Sequence, residues 1–207
     1  MRKPAGAFHH GNLRQAAIDA AVREVRAHGH TGLSLKALAD KLGVAGPALY
    51  RHFENRRALL HEVAQVGYEV FEARLSEAAD AHADAWGALL AMAHAYVEIA
   101  MAYPHWFRLQ FLSAPEERPR PDIERAPPRY RDKIGRLLAQ ELGDKALAQD
   151  VYLGSWAAVH GLAVLVIEGN FDARGERAHR ELVERALRGL FAGIRALAAT
   201  APAKKNL

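Results

Sequence analysis

The segment Ser34-Leu-Lys-Ala-Leu-Ala-Asp-Lys-Leu-Gly-Val-Ala-Gly-Pro-Ala-Leu-Tyr-Arg-His-Phe53 constrains the fold more than any other part of the chain. Leu35, Leu38, Ala39 and Leu42 stand at i, i+3, i+4 and i+7, which makes one apolar stripe on a helix that Ser34 can cap. Gly43 ends that helix, since glycine accepts the left-handed conformation that follows a last turn. Pro47, with its fixed φ and missing N–H, suits the first turn of the next helix. That second helix is expected from Gly46 to Phe53, with Ala48, Leu49 and Phe53 inward and Gly46, Pro47, Tyr50, Arg51 and His52 outward. Two short helices joined by a glycine turn have the shape of a helix-turn-helix, which seats its second helix in the DNA major groove. A plain helical hairpin inside a core would satisfy the same periodicity.

A longer run separates these readings. Leu-Gly-Val-x-x-Pro-Ala-Leu-Tyr-Arg-His-Phe-x-x-Arg-Arg-Ala-Leu-Leu, from Leu42 to Leu60, resembles the DNA-binding domain of TetR-type regulators. His10-Gly11-Asn12-Leu13-Arg14 and the block from Gly29 to Leu38 fit the same family's first helix and its lead into the second. The resemblance covers about the first third of the chain, with glycine, proline and aromatic positions in register.

Charge is segregated to match. Residues 1 to 60 hold ten Lys or Arg against four acids, whereas the other 147 residues hold eighteen against twenty. Phosphate binding draws on such a local excess through counterion release, though chance clustering would give the same count. Half of the 207 residues are hydrophobic, enough for a sizeable core. No uninterrupted apolar run looks long enough to span a bilayer and Met1-Arg-Lys-Pro-Ala-Gly lacks a signal peptide's apolar segment, so a cytoplasmic location is expected. The absence of cysteine excludes disulfides, thiolate metal sites and a cysteine nucleophile. No cofactor and no metal are expected: His9 and His10 lack a second ligand pair at a recognisable spacing.

Glycine and proline divide the remainder into helices, so the expected class is all-α, with about nine helices and no strand. The spacing predicts helices over 13–28, 56–79, 85–102, 105–112, 130–142, 145–168 and 176–199 besides the two above. A proline- and charge-rich loop is expected over 113–128 and a frayed tail over 201–207. The domains then read as 1–60 for DNA binding, a fourth helix 56–79 as the link, and 80–200 as a second domain.

The resemblance implies roles for individual residues. Tyr50, His52 and Arg56 match family positions that hold phosphates, where a phenol, an imidazole and a guanidinium all donate to phosphate oxygen. Lys36 stands where the family often reads a base; lysine can reach guanine O6 and N7 or bind phosphate equally well, and Arg51 is a similar case. Ala45, Gly46 and Ala48 replace frequent polar side chains, so with Pro47 this stretch offers thymine-methyl or shape readout rather than hydrogen bonds. Arg2 and Lys3 could form an arm along a groove or phosphate track.

Trp156-Ala-Ala-Val-His160-Gly161 matches the Trp-x-x-x-His-Gly signature for which one subgroup of these regulators' C-terminal domains is named, and Tyr103-Pro-His-Trp-Phe-Arg-Leu-Gln-Phe111 resembles that subgroup's proline-led aromatic segment. Trp156 and His160 lie one turn apart, either lining a cavity or packed as a core pair. The family implies a small hydrophobic or amphipathic effector, for which Tyr96, Trp106, Phe107, Phe111, Tyr130, Trp156 and His160 are the candidate lining. It also implies a homodimer through the last two helices, whose broad apolar faces a monomer would not cover. Small residues there, Gly154, Ala158, Gly161, Ala186, Gly189 and Gly193, permit close approach.

The expected function is therefore a dimeric DNA-binding repressor, released from a pseudo-palindromic operator by its effector. Two other classes stay open. An enzyme using His160 with Glu168 or His105 lacks a paired acid–base constellation, and a protein-interaction module could keep the fold without reading DNA.

Overall fold

Local chemistry sets the helix boundaries in the computed structural model, which describes residues 13–113, 129–170 and 176–200. The helices are α1 (Leu13–His28), α2 (Leu35–Leu42), α3 (Gly46–Tyr50), α4 (Arg56–Asp80), α5 (Ala85–Ala102), α6 (Pro104–Phe107), α7 (Arg129–Leu142), α8 (Lys145–Ile167) and α9 (Glu176–Thr200). A π-helical turn, Arg108–Leu112, continues α6, and no strand occurs among the described residues. Ser34 Oγ accepts the Ala37 N–H at 3.1 Å, while Gly43, at φ 68°, closes α2. Asp144 Oδ1 accepts from Ala146 and Leu147 to start α8, and Asp84 Oδ1 accepts from Gly87 at 2.7 Å early in α5. That last bond holds the Asp84 carboxyl below its usual range.

Two boundaries differ from expectation. The recognition helix stops at Tyr50 rather than Phe53, because the N–H groups of His52 and Phe53 both turn back to Leu49 O and Asn55 Oδ1 then caps α4 through Ala58 N at 3.0 Å. Pro104 begins a single α-turn, after which the 105–112 segment widens to π geometry and ends at Ser113, whose hydroxyl donates to the carbonyls of Arg108 and Leu109.

The chain forms two compact units, Met1–Glu69 with Tyr103–Glu124, and Val70–Ala102 with Arg125–Leu207. In the first, α2 packs on α1 and α3, and the stripe Leu35, Leu38 and Ala39 is buried, as are Leu49, Phe53, Leu59 and Val25. The expectation that 103–112 belongs to the second domain is corrected here, and aromatic packing is the reason. The Arg26 guanidinium on α1 lies 4.7 Å from the Tyr103 ring centre and 5.5 Å from that of Trp106. Tyr68 of α4 meets Phe111 edge-on at 6.3 Å. Buried Gln110 donates from Nε2 to Ala64 O at 3.2 Å, and Gly67 makes room for it: a Cβ there would sit 2.2 Å from that nitrogen.

In the second unit α5 packs against α7, α8 and α9. By length and composition α5 and α8 are each apolar enough to cross a membrane, although neither is an uninterrupted apolar run. Isolated polar residues such as His94 and His160 interrupt the runs in sequence without lowering their average much. The α5 window is 56% buried within the unit, whereas that of α8 is only 28% buried, so α8 keeps an open face.

Candidate functional site

The helix-turn-helix surface is built by α2 and α3. Inward Leu38 and Leu49 anchor the pair, and that anchoring leaves Lys36, Ala45, Pro47, Tyr50 and Arg51 exposed, with Gly46, Ala48 and His52 half-buried beside them. Tyr50 is 55% exposed, an unusual position for a large ring and one that leaves its hydroxyl free to meet a partner. Lys36, Arg51 and Arg57 make no ion pair among the described residues. Lys41, by contrast, is held in a close ion pair with Glu24 of α1, and its ammonium hydrogen bond lowers the Glu24 pKa. Arg14 is likewise spent on Glu62 at 2.8 Å.

Arg56 has a structural role on this surface. Its part-exposed guanidinium donates from Nε to Leu33 O at 2.9 Å and from Nη2 to His30 O at 2.6 Å. These carbonyls belong to the connection between α1 and α2, which contains no helix to satisfy them. A planar fork with five donors suits that task better than any other side chain. Arg56 therefore ties the loop that places α2, while Arg57 next to it stays exposed.

The second unit contains a cavity of about 50 Å³ that opens to solvent on one side. α8 contributes Tyr152, Ser155, Trp156 and Val159, a run at i, i+3, i+4 and i+7. Leu89, Met92, Ala93 and Tyr96 of α5 face them, and Leu75, Tyr130 and Phe191 complete the wall. No charged side chain lines it among the described residues. Burial pushes the Tyr152 phenol above its ordinary pKa, outweighing the field of Arg131, so the phenol stays neutral at physiological pH. A hydrogen bond of 2.9 Å joins Tyr96 Oη to His160 Nδ1, and desolvation lowers the His160 pKa.

Two family profiles match this chain. One, described as "Bacterial regulatory proteins, tetR family", spans residues 17–63; the other, "Tetracyclin repressor-like, C-terminal domain", spans residues 89–190. The chain belongs to the TetR family. It is a DNA-binding transcriptional regulator of that family. Among its relatives, the uncharacterized HTH-type transcriptional regulator YobS of Bacillus subtilis is 27% identical over 78% of this chain and 83% of its own. Tetracycline repressor protein class C of Escherichia coli is 46% identical, but over only 25% of this chain and 24% of the repressor. A TetR variant from Acinetobacter baumannii AYE, crystallised in complex with minocycline, shares the fold at a TM-score of 0.55, with 21% identity over 89% of this chain and 97% of that one.

In this TetR regulator the expected sensor residues separate into two groups. Tyr96, Tyr130 and Trp156 line the cavity. Trp106, Phe107 and Phe111 do not: they belong to the first unit, where Trp106 and Phe107 are buried and Phe107 packs on Phe111 at 4.9 Å. Trp156 and His160, an undivided pair in the sequence, take different parts. The Trp156 ring reaches the cavity while 43% of the residue stays exposed, and His160 stands behind it with the rings 5.6 Å apart, bonded to Tyr96. Sequence reasoning missed Tyr152 and Ser155, although their spacing from Trp156 and Val159 marks one face of α8. Arg2, Lys3, His9 and His10 lie outside the described residues.

The His160 environment has a pH consequence. With its folded-state pKa below the ordinary histidine value, the unfolded chain takes up this proton first as pH falls, so stability drops from about pH 6.5 downward toward the folded-state pKa. Thermal melts of the wild type between pH 7.5 and 5 should therefore show a steeper acid loss than those of His160→Gln. Equal slopes would mean that burial of this imidazole contributes nothing to the acid sensitivity.

Proposed function

We propose that this TetR-family regulator is a homodimeric repressor that occupies a pseudo-palindromic operator and leaves it when a small hydrophobic or amphipathic effector enters the second unit. The observation that carries the DNA half is the exposed row Lys36, Ala45, Pro47, Tyr50 and Arg51 on α2 and α3. Tyr50 and His52 position the backbone, Lys36 and Arg51 supply charge and base contact, and Ala45, Gly46 and Pro47 fit against the groove wall. The effector half is supported by the uncharged aromatic cavity and by the minocycline-bound neighbour of the same fold. The Trp-x-x-x-His-Gly subgroup is the reading we favour for the C-terminal domain, and the cytoplasm is the compartment in which such a regulator meets its operator.

The dimer is supported by α8 and α9. Leu153, Leu165 and Leu197 are 59%, 45% and 73% exposed, and an added Cβ at Gly154, Gly161, Gly189 or Gly193 would meet nothing within 4 Å. A second copy is the natural cover for such a face, since a twofold presents the same stripe to itself and sets two recognition helices about 34 Å apart. Effector binding then selects among spacings of those helices, with α4 as the continuous element between the two units.

Gel retardation with DNA from upstream of the protein's own gene tests the reading. Retardation should be strong at low salt and fall steeply as salt rises. Tyr50→Ala should weaken operator and random DNA alike, by about fivefold, because a phosphate hydrogen bond carries no sequence information. Absence of any retardation at low salt would favour a protein-interaction module that keeps the fold without reading DNA.

A further inference from the structure

The cavity of the second unit carries more information than its size. Its wall holds three phenol rings, an indole and a phenyl ring, and no carboxylate, ammonium or guanidinium among the described residues. Arg131 is the cation whose field reaches the Tyr152 phenol, but it sits exposed on α7 and is solvated. One polar atom stands out. The hydroxyl of Ser155, a residue only 2% exposed on the cavity face of α8, has no hydrogen-bond partner. A serine in a helix usually satisfies itself on the carbonyl one turn back, and a buried hydroxyl left alone costs about 1–3 kcal/mol. The Tyr152 phenol lies nearly one turn earlier on the same face, able to donate to a ligand oxygen. The Tyr96 hydroxyl is already engaged with His160.

We infer that this cavity takes the edge of an uncharged, flat aromatic molecule bearing a single hydroxyl or carbonyl oxygen, and that Ser155 and Tyr152 receive that oxygen. The inference rests on the effector reading of the preceding section and narrows it to a ligand class. The open side sets how such a ring enters: the cavity itself is only about 50 Å³, less than the roughly 150 Å³ that encloses a benzene ring, so the oxygen-bearing edge inserts and the rest of the molecule lies in the mouth. Neutrality follows from the wall, because an ionised group would lose its hydration with no opposite charge to replace it. Aromatic character follows from the rings of Tyr96, Tyr130, Trp156 and Phe191, which gain from offset or edge-on stacking beyond the area they bury. Trp156, lying between cavity and solvent, forms the rim over which such a ring would slide.

Three probes that share one skeleton separate these elements: 2-naphthol, naphthalene and 2-naphthoate, titrated into the full-length protein by calorimetry at pH 7.5. Naphthol should bind about fivefold tighter than naphthalene, the return expected for one satisfied hydrogen bond, and at least tenfold tighter than naphthoate. Ser155→Ala should leave naphthalene affinity unchanged and abolish the advantage of naphthol, while melting at or above the wild-type temperature, since it removes a buried hydroxyl that has no partner. Naphthoate binding as tightly as naphthol, no binding of any probe, or a naphthol advantage that survives in Ser155→Ala would each overturn the inference. Operator retardation measured with and without saturating naphthol reports separately on regulation. Naphthol that binds as expected without releasing DNA would leave the ligand class standing and sink the effector reading.

Discussion

Replacing Leu165 by glutamate should convert the protein to a monomer and weaken operator binding at least a hundredfold. Leu165 lies on the open face of α8, 45% exposed, beside Gly161 and Val164 and away from the buried stripe Val151, Ser155, Val159 and Ala163. In a lone chain the substitution is therefore nearly silent. In a twofold dimer the same carboxylate enters the interface twice, and an unpaired charge removed from water costs about 3–5 kcal/mol each time. The dimer dissociation constant should rise by at least about four orders of magnitude on that basis. Operator affinity follows, because two joined recognition helices bind their half-sites as one event and a single helix loses that effective concentration, a factor of about 10²–10⁴. Light scattering coupled to size-exclusion chromatography reads the first effect, and retardation with whole and half operators reads the second. A Leu165→Glu protein that remains dimeric with full operator affinity would show that copies do not meet through this face. Gln140→Glu, an exposed change on α7 that adds the same single charge away from α8 and α9, controls for the general effect of added negative charge on a DNA-binding protein.

Arg56→Ala should destabilise the first unit by about 3 kcal/mol, a prediction that would not arise from its place in the family motif. Hydrogen bonds from a charged donor contribute about 1.5–3 kcal/mol each, and partial exposure of the two Arg56 contacts argues for the lower part of that range. The carbonyls of His30 and Leu33 lose a partner at the point where the chain leaves α1 and enters α2. Amide exchange between Gly29 and Ser34 should accelerate, and calorimetry should record an earlier melt for this unit. DNA binding falls as a consequence, since α2 and α3 lose their fixed placement. Arg57→Ala, by contrast, removes an exposed guanidinium and should melt as the wild type does. An Arg56→Ala protein with unchanged stability and exchange, but equally reduced affinity for operator and random DNA, would restore a phosphate contact as its main role.

These two residues also show where sequence reading succeeds. The helices followed from it closely because caps and stripes are local: Ser34 needs only the N–H three residues on, and Gly43 only its own φ. Periodicity alone indicated the open faces of α8 and α9, since more apolar residues lie on them than one stripe can bury. The family assignment was equally legible, carried by a run from Leu42 to Leu60 in which glycine, proline and aromatic residues each have a fixed place.

Less of the sites could be read, and the misses share a cause. Trp106, Phe107 and Phe111 have the composition of a ligand pocket, yet Arg26, Tyr68 and Gly67, all distant in sequence, draw them into the first unit. Trp156 and His160 have the same spacing signal, but Tyr96, 64 residues before His160, engages the imidazole and leaves the indole to the cavity. By itself the sequence determined which segments are helices, where most of them begin and end, and that two of them form a DNA reader. Tertiary structure decided which rings line a cavity, which are core, and that Arg56 supports a loop, because a side chain several bonds long finds its partner through packing between remote segments, while a helix is written in the bonds between residues four apart.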